Sequence, residues 1–148
     1  MRAARHWSVR HSRSLMVIYR ASRRLAAWCE PALRRIGYAR LERPTAWVEA
    51  AVKGALFDCR MCGRCVLNAT GMSCPMNCPK QLRNGPCGGV RPDGGCEVEP
   101  DMPCVWVAAW DGAVNAGDAD ALSSYLEPVD HRQHGSSAWL RLLREGDG

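Results

Sequence analysis

Five cysteines stand within the twenty-two residues CRMCGRCVLNATGMSCPMNCPK (Cys59–Lys80), and three more, Cys87, Cys96 and Cys104, follow at wide intervals. No Phe, Trp, Tyr or Ile lies between Cys59 and Cys104, yet that stretch holds seven of the fourteen glycines and six of the nine prolines. A segment so poor in apolar bulk cannot bury enough surface to offset the entropy of ordering it. Disulfides or metal must therefore supply the missing order.

Compartment favours metal. The N-terminus, MRAARHWSVRHSRSLMVIYRASRRLAAWCE, is basic but has neither a continuous apolar run nor a small-residue cleavage site, so it does not read as a secretory signal. LMVIY is too short to span a bilayer. A cytoplasmic chain is expected, in which thiols stay reduced and clustered cysteines bind metal. The Arg-rich start is also compatible with a mitochondrial presequence, a weaker reading.

The eight clustered cysteines follow C-x2-C-x2-C-x8-C-x3-C-x8-C-x8-C-x7-C, which makes two sets of four. Consecutive x2 steps let a tight turn wrap three corners of one [4Fe–4S] cube, and a distant cysteine supplies the fourth. Cys74-Pro75 and Cys78-Pro79 both have the Cys-Pro form of a remote ligand. The expected ligands are Cys59, Cys62, Cys65, Cys74, Cys78, Cys87, Cys96 and Cys104. The first cluster takes the first three plus one later cysteine, and the second takes the rest, with the division left open. The rival is zinc, since two tetrahedral four-thiolate sites would also use all eight. Zinc ribbons, however, pair C-x2-C knuckles across a spacer, whereas this chain has one triple and then single cysteines. Cys29, beside Trp28 near a helix end, reads as a buried small hydrophobe.

Around this block the pattern is helical. Leu15, Ile18, Tyr19, Leu25 and Trp28 recur near a helical period, predicting an amphipathic helix over 14–29 that ends near Pro31, with a short continuation, 32–36, stopping at Gly37. Thr45 reads as the N-cap of a second helix, with Glu49 near its positive end and Val48, Ala51, Val52, Ala55 and Leu56 as its apolar face. NGPCGG (Asn84–Gly89) and RPDGG (Arg91–Gly95) signal turns. VWVAAW, from Val105, reads as helix or strand. Asp118 is expected to cap a short helix over 119–126. Ser136 precedes a last helix facing Trp139, Leu140 and Leu143 one way and ending at Gly146.

Residues 1–43 carry eleven Arg against Glu30 and Glu42, so a net +5 chain has a +9 N-terminal segment. Such a segment suits an anionic surface, whether nucleic acid, membrane or acidic protein. A nucleic-acid reading would pair it with a zinc module, but the cysteine block offers no aromatic stacking platform. His131 and His134 stand outside the block in a loop-like stretch. No phosphate loop, nucleophile elbow or dinucleotide fingerprint is present.

The run CRMCGRCVLNATGMSCPMNCPKQLRNGPCGGV, with CEVEPDMPCVWV and EPVDHRQHGSSAWLRLL after it, resembles the methylenetetrahydrofolate reductase C-terminal domain family over roughly residues 44–144. The resemblance implies a non-catalytic iron–sulfur companion subunit of an oxidoreductase. A separate (βα)8-barrel subunit would bind flavin and folate and interconvert 5,10-methylene- and 5-methyl-tetrahydrofolate. The small subunit would support that barrel and pass electrons between its flavin and a carrier such as ferredoxin. The expected architecture is a small, irregular, α-rich, metal-stabilised domain. A loop-rich cysteine core wraps two [4Fe–4S] clusters, with flanking helices over 44–145 and a basic helical arm over 1–43. The alternative is a zinc-binding structural or nucleic-acid-binding module.

Overall fold

The structure is a computed structural model and describes residues 2–145. Its helices are α1 (Arg2–Arg10), α2 (Ser12–Ile36), α3 (Tyr38–Phe57), α4 (Val105–Ala116) and α5 (Ala138–Glu145). Single 3-10 turns lie at Pro75–Asn77, Ala119–Ser123 and His131–Gln133. Among the described residues there is no strand, only an isolated antiparallel bridge between Gly95 and Pro103. The expected α-rich domain with loops and turns between Cys59 and Cys104 is thus present. Among the described residues no helix is long and apolar enough to cross a membrane.

The start of the basic segment is built into the core. Ser8 and Ser12 are fully buried. Ser8 Oγ donates to the Leu56 carbonyl at 2.5 Å and Ser12 Oγ to the Gly112 carbonyl at 2.7 Å. Small hydroxyl side chains let α1 and α2 approach α3 and α4 closely while satisfying the polar groups they bury. Asn115 Nδ2 donates to the Arg10 carbonyl at 2.9 Å, across the break between α1 and α2. Further along, Met16 packs with Phe57, Leu67 and Met72, joining α2, the end of α3 and the cysteine loop. A second cluster, Cys104, Trp106 and Ala109, gathers Val90, Leu122 and Leu126 around α4.

Two prolines do not act as the sequence suggested. The helix expected to end near Pro31 runs through it to Ile36, and the one expected to start at Thr45 begins at Tyr38 and contains Pro44. An interior proline costs about 3 kcal/mol, partly by stranding the carbonyl four residues back. Here those carbonyls belong to the exposed Ala27 and Arg40, where water takes the lost bond. Gly37, at φ 96°, is the true break, and its N–H closes α2 on the Leu33 carbonyl at 3.0 Å.

The face assigned to α3 is also reversed. Val48, Ala51, Val52 and Ala55 are exposed, with only Leu56 half-buried, and the buried residues are Glu49, Lys53 and Phe57. Spacing of i, i+4, i+8 puts those three on one stripe. At the C-terminal end, VWVAAW is helix, in α4. Asp118 makes no side-chain cap and instead pairs with Arg20 at 3.4 Å, while the helix after it is the five-residue turn Ala119–Ser123. For α5 the cap is Ser137, whose Oγ accepts from Leu140 N at 3.3 Å, rather than Ser136. The expected stop at Gly146 lies outside the described residues.

Glycine contact fixes α4 on the cysteine loop. A Cβ on Gly112 would meet the backbone of Gly71, and one on Gly71 (φ 53°) would meet that of Gly112 and Ala113. Backbone cannot rotate aside as a side-chain tip can. Gly112→Ala is therefore expected to destabilise by about 1–3 kcal/mol, read as a lower melting temperature by circular dichroism. Gly54→Ala, inside α3 with nothing within 4 Å of the new Cβ, is expected to leave stability unchanged or raise it by about 0.5–1 kcal/mol.

Candidate metal centres

The chain leaves α3 through Asp58, in the left-handed region at φ 53°, and enters the cysteine loop. Asp58 is buried, and Arg5 of α1 holds its carboxylate, with Nε at 3.1 Å. Asn77 Nδ2 donates to the Phe57 carbonyl at 2.9 Å, tying the Pro75–Asn77 turn to the end of α3. These contacts fold the loop back on itself. Cys59, Cys62, Cys65 and Cys74 then line one partly open cavity. Gly63 sits at its wall, where a Cβ would strike the Gln133 carbonyl and Ser136. Gly135 N donates to the Met61 carbonyl at 2.8 Å, closing the 131–136 turn over the site.

The other four cysteines are arranged by a short hairpin. Asp93 Oδ1 accepts from Gly95 N at 2.9 Å inside the RPDG turn. Cys96 N donates to the Met102 carbonyl at 2.8 Å, and Cys104 N to the Gly94 carbonyl at 2.9 Å. Cys78, Cys87, Cys96 and Cys104 line a second, partly open cavity, beside Trp106 at the start of α4. Eight cysteines thus fall into two sets of four, divided between Cys74 and Cys78. Among the described residues, no three His, Cys, Asp or Glu side chains converge on a single-ion position. Cys29 is half-buried on α2 and borders neither cavity, and His131 and His134 are exposed.

Sequence reasoning missed the charged groups behind the first cavity. Glu49 is 1% and Lys53 4% exposed, and their side chains meet at 2.5 Å. Glu49 also accepts from Ser137 Oγ at 2.7 Å and Trp139 N at 3.2 Å, while Glu42 accepts from Ser137 N at 2.7 Å. Two acids of α3 therefore satisfy the start of α5, where backbone donors are otherwise orphaned. The Lys53 ammonium lies 5.2 Å from the centre of the Trp139 ring. Burial alone would lower the Lys53 pKa, but the Cys65 thiolate and then Glu49 reverse this and hold it above its ordinary value. Burial pushes the Cys74 thiol up to about 12, with the Cys59 charge adding to it, and burial also raises Cys59.

Arg83 is 6% exposed and lines the same cavity. Its Nε donates to the Glu127 carbonyl at 3.2 Å, Nη2 to the Arg64 carbonyl at 3.4 Å, and Nη1 reaches Cys62 Sγ at 3.9 Å. The other charges at the first cavity are matched: Lys53 with Glu49, and Arg64 with Glu127. At the second, Lys80 pairs with Glu97, which also accepts from Cys87 Sγ at 3.2 Å. Among the described residues, Arg83 has no carboxylate partner. Trp106 Nε1 is buried with no partner either, leaving a donor at the second cavity.

A protein-family model described as "Methylene-tetrahydrofolate reductase C terminal" matches residues 38–132. No curated protein matches the chain, and no solved structure does.

Removing the Glu49 carboxylate leaves Lys53 buried without its fixed anion and α5 without part of its cap. Glu49→Gln is expected to cost about 3–5 kcal/mol. The double variant Glu49→Gln/Lys53→Met is expected to recover part of the loss, and a double-mutant cycle on thermal unfolding measures the coupling.

Proposed function

The chain belongs to the methylenetetrahydrofolate reductase C-terminal family, and we propose that it is an iron–sulfur accessory subunit of a methylenetetrahydrofolate reductase assembly. The catalytic partner in this reading is a flavin-dependent (βα)8-barrel subunit that interconverts 5,10-methylene- and 5-methyl-tetrahydrofolate. The observation that carries the reading is the gathering of eight cysteines into two four-thiol cavities, the first walled by a buried arginine that lacks an anion. An uncompensated buried cation is costly. Four thiolates, or an anionic cluster held by them, supply the compensation.

The donor set fits a [4Fe–4S] group in each cavity. The C-x2-C-x2-C run followed by single cysteines suits a polynuclear cluster better than one tetrahedral ion. Cys59, Cys62, Cys65 and Cys74 would hold the first, and Cys78, Cys87, Cys96 and Cys104 the second. When bound, such a group supplies one-electron storage beside the partner's flavin. The protein's own part is to fix the thiolates on turns, to cover the first site with the 131–136 loop, and to offset charge with Arg83. Metal loading then releases the protons of buried thiols such as Cys74.

Docking to the reductase uses surface that the isolated chain leaves uncovered. Trp47 on α3 is 75% exposed and Trp28 on α2 81%, with Val48, Val52, Leu25 and Ile36 also exposed. Arg24 and Arg35 stand exposed on α2. Exposed apolar side chains and arginines on these helices suit a partner surface that offers both apolar and acidic groups.

Metal content and association with the reductase test this. Anaerobically purified Cys62→Ser and Cys87→Ser are each expected to lose about half the bound iron, because the two sites fill separately. Bound zinc with no iron moves the assignment to the structural or nucleic-acid class. The wild-type chain is expected to co-purify with a flavin-binding methylenetetrahydrofolate reductase, and Trp47→Asp to lose that association while keeping its iron. A reductase that works at full rate without this chain contradicts the assignment.

A further inference from the structure

We propose that Arg83 sets the reduction potential of the site formed by Cys59, Cys62, Cys65 and Cys74, making the two cysteine sites electrostatically unequal. This rests on the iron–sulfur reading above and goes further by assigning a tuning role to one side chain. The charged residues lining the cavities are Glu49, Lys53, Arg64 and Arg83 at the first, and Lys80 and Glu97 at the second. Five of the six have an oppositely charged partner: Lys53 with Glu49, Arg64 with Glu127, and Lys80 with Glu97. Among the described residues Arg83 lacks a carboxylate, and its guanidinium is aimed at Cys62 Sγ from 3.9 Å; Lys53 also acts on Cys65, but its charge is shared with Glu49.

Reduction adds one electron, from an external low-potential donor, and makes or breaks no covalent bond. The added negative charge is stabilised by a nearby cation, most strongly where water is excluded. Arg83 is buried and held from two other sides by the Glu127 and Arg64 carbonyls, so it cannot turn away to solvent. Hydrogen bonds and charge at cluster sulfurs are the established levers on such potentials. The second site has no counterpart: Lys80 is spent on Glu97, which itself lies against the exposed Cys87. Trp106 Nε1 offers that site a neutral donor only. Water reaching Cys87 also affects the second potential, so the role of Arg83 is read within the first site, between variants.

The test is an anaerobic dithionite titration of the full chain followed by electron paramagnetic resonance, with iron counted in each sample. The first-site transition is the one that survives in Cys87→Ser. In Arg83→Gln, which removes charge but keeps hydrogen-bonding capacity for the carbonyls, that transition is expected to move to lower potential with iron content unchanged. The second-site transition is expected to stay in place, and Arg83→Lys is expected to restore the first. An unmoved first-site transition in Arg83→Gln, equal movement of both, or the lack of any reducible first-site group overturns the proposal. Loss of iron in both Arg83→Gln and Arg83→Lys overturns it too, since Arg83 is then structural. Wild-type protein without iron defeats the iron–sulfur reading itself, whereas full iron with an unmoved potential defeats only the role of Arg83.

Discussion

Two rings of four thiols organise a segment that has little else to hold it. From Cys59 to Cys104 the chain contributes Leu67, Met72 and Val90 to apolar packing, and otherwise turns, glycines and prolines. The helices around it deliver and brace the thiols. α3 ends in a left-handed residue that feeds Cys59, and α4 begins directly after Cys104. Arg5, Asn77 and the Gly71–Gly112 backbone contact pin the loop between them. In the proposed iron–sulfur reading, ligand bonds and fold form one equilibrium, as is usual where a metal group replaces a core.

Charge follows the same logic. Buried charge is tolerated only when matched, and Glu49 is matched with Lys53 and Asp58 with the half-buried Arg5. Glu49 serves twice, because its second oxygen also caps α5 through Ser137 and Trp139. The C-terminal helix is therefore hung from the wall of the first cysteine site. Arg83 is the exception, and it points to the thiols.

Much of the site was legible in the sequence, because ligand spacing is a covalent property. C-x2-C-x2-C announces a shared site whatever the tertiary fold, and the two Cys-Pro steps mark where the chain turns away. The partition at Cys74 against Cys78 was not legible: both have the Cys-Pro form, and only the turn at Pro75–Asn77 sends them to different cavities. Helix existence was readable from periodicity and the stop at Gly37 from the glycine, but the limits set at Pro31 and Thr45 were not. Pro31 and Pro44 look like breakers, yet each strands a carbonyl that water can serve. The inward face of α3 was misread for a related reason. Hydrophobic patterning assumes that apolar side chains face inward, whereas here Glu49 and Lys53 face the cysteine site and Trp47, Val48 and Val52 are left outside. Arg83 lies in a loop, where no period could single it out.

The central claim is that sulfur-bound iron occupies both cavities. Iron and acid-labile sulfide determined on one anaerobically purified sample test it most directly. The account predicts about eight of each per chain, in a brown protein. A colourless chain with no sulfide, whose eight clustered cysteines are oxidised to cystine and which keeps its fold after chelation, would contradict it.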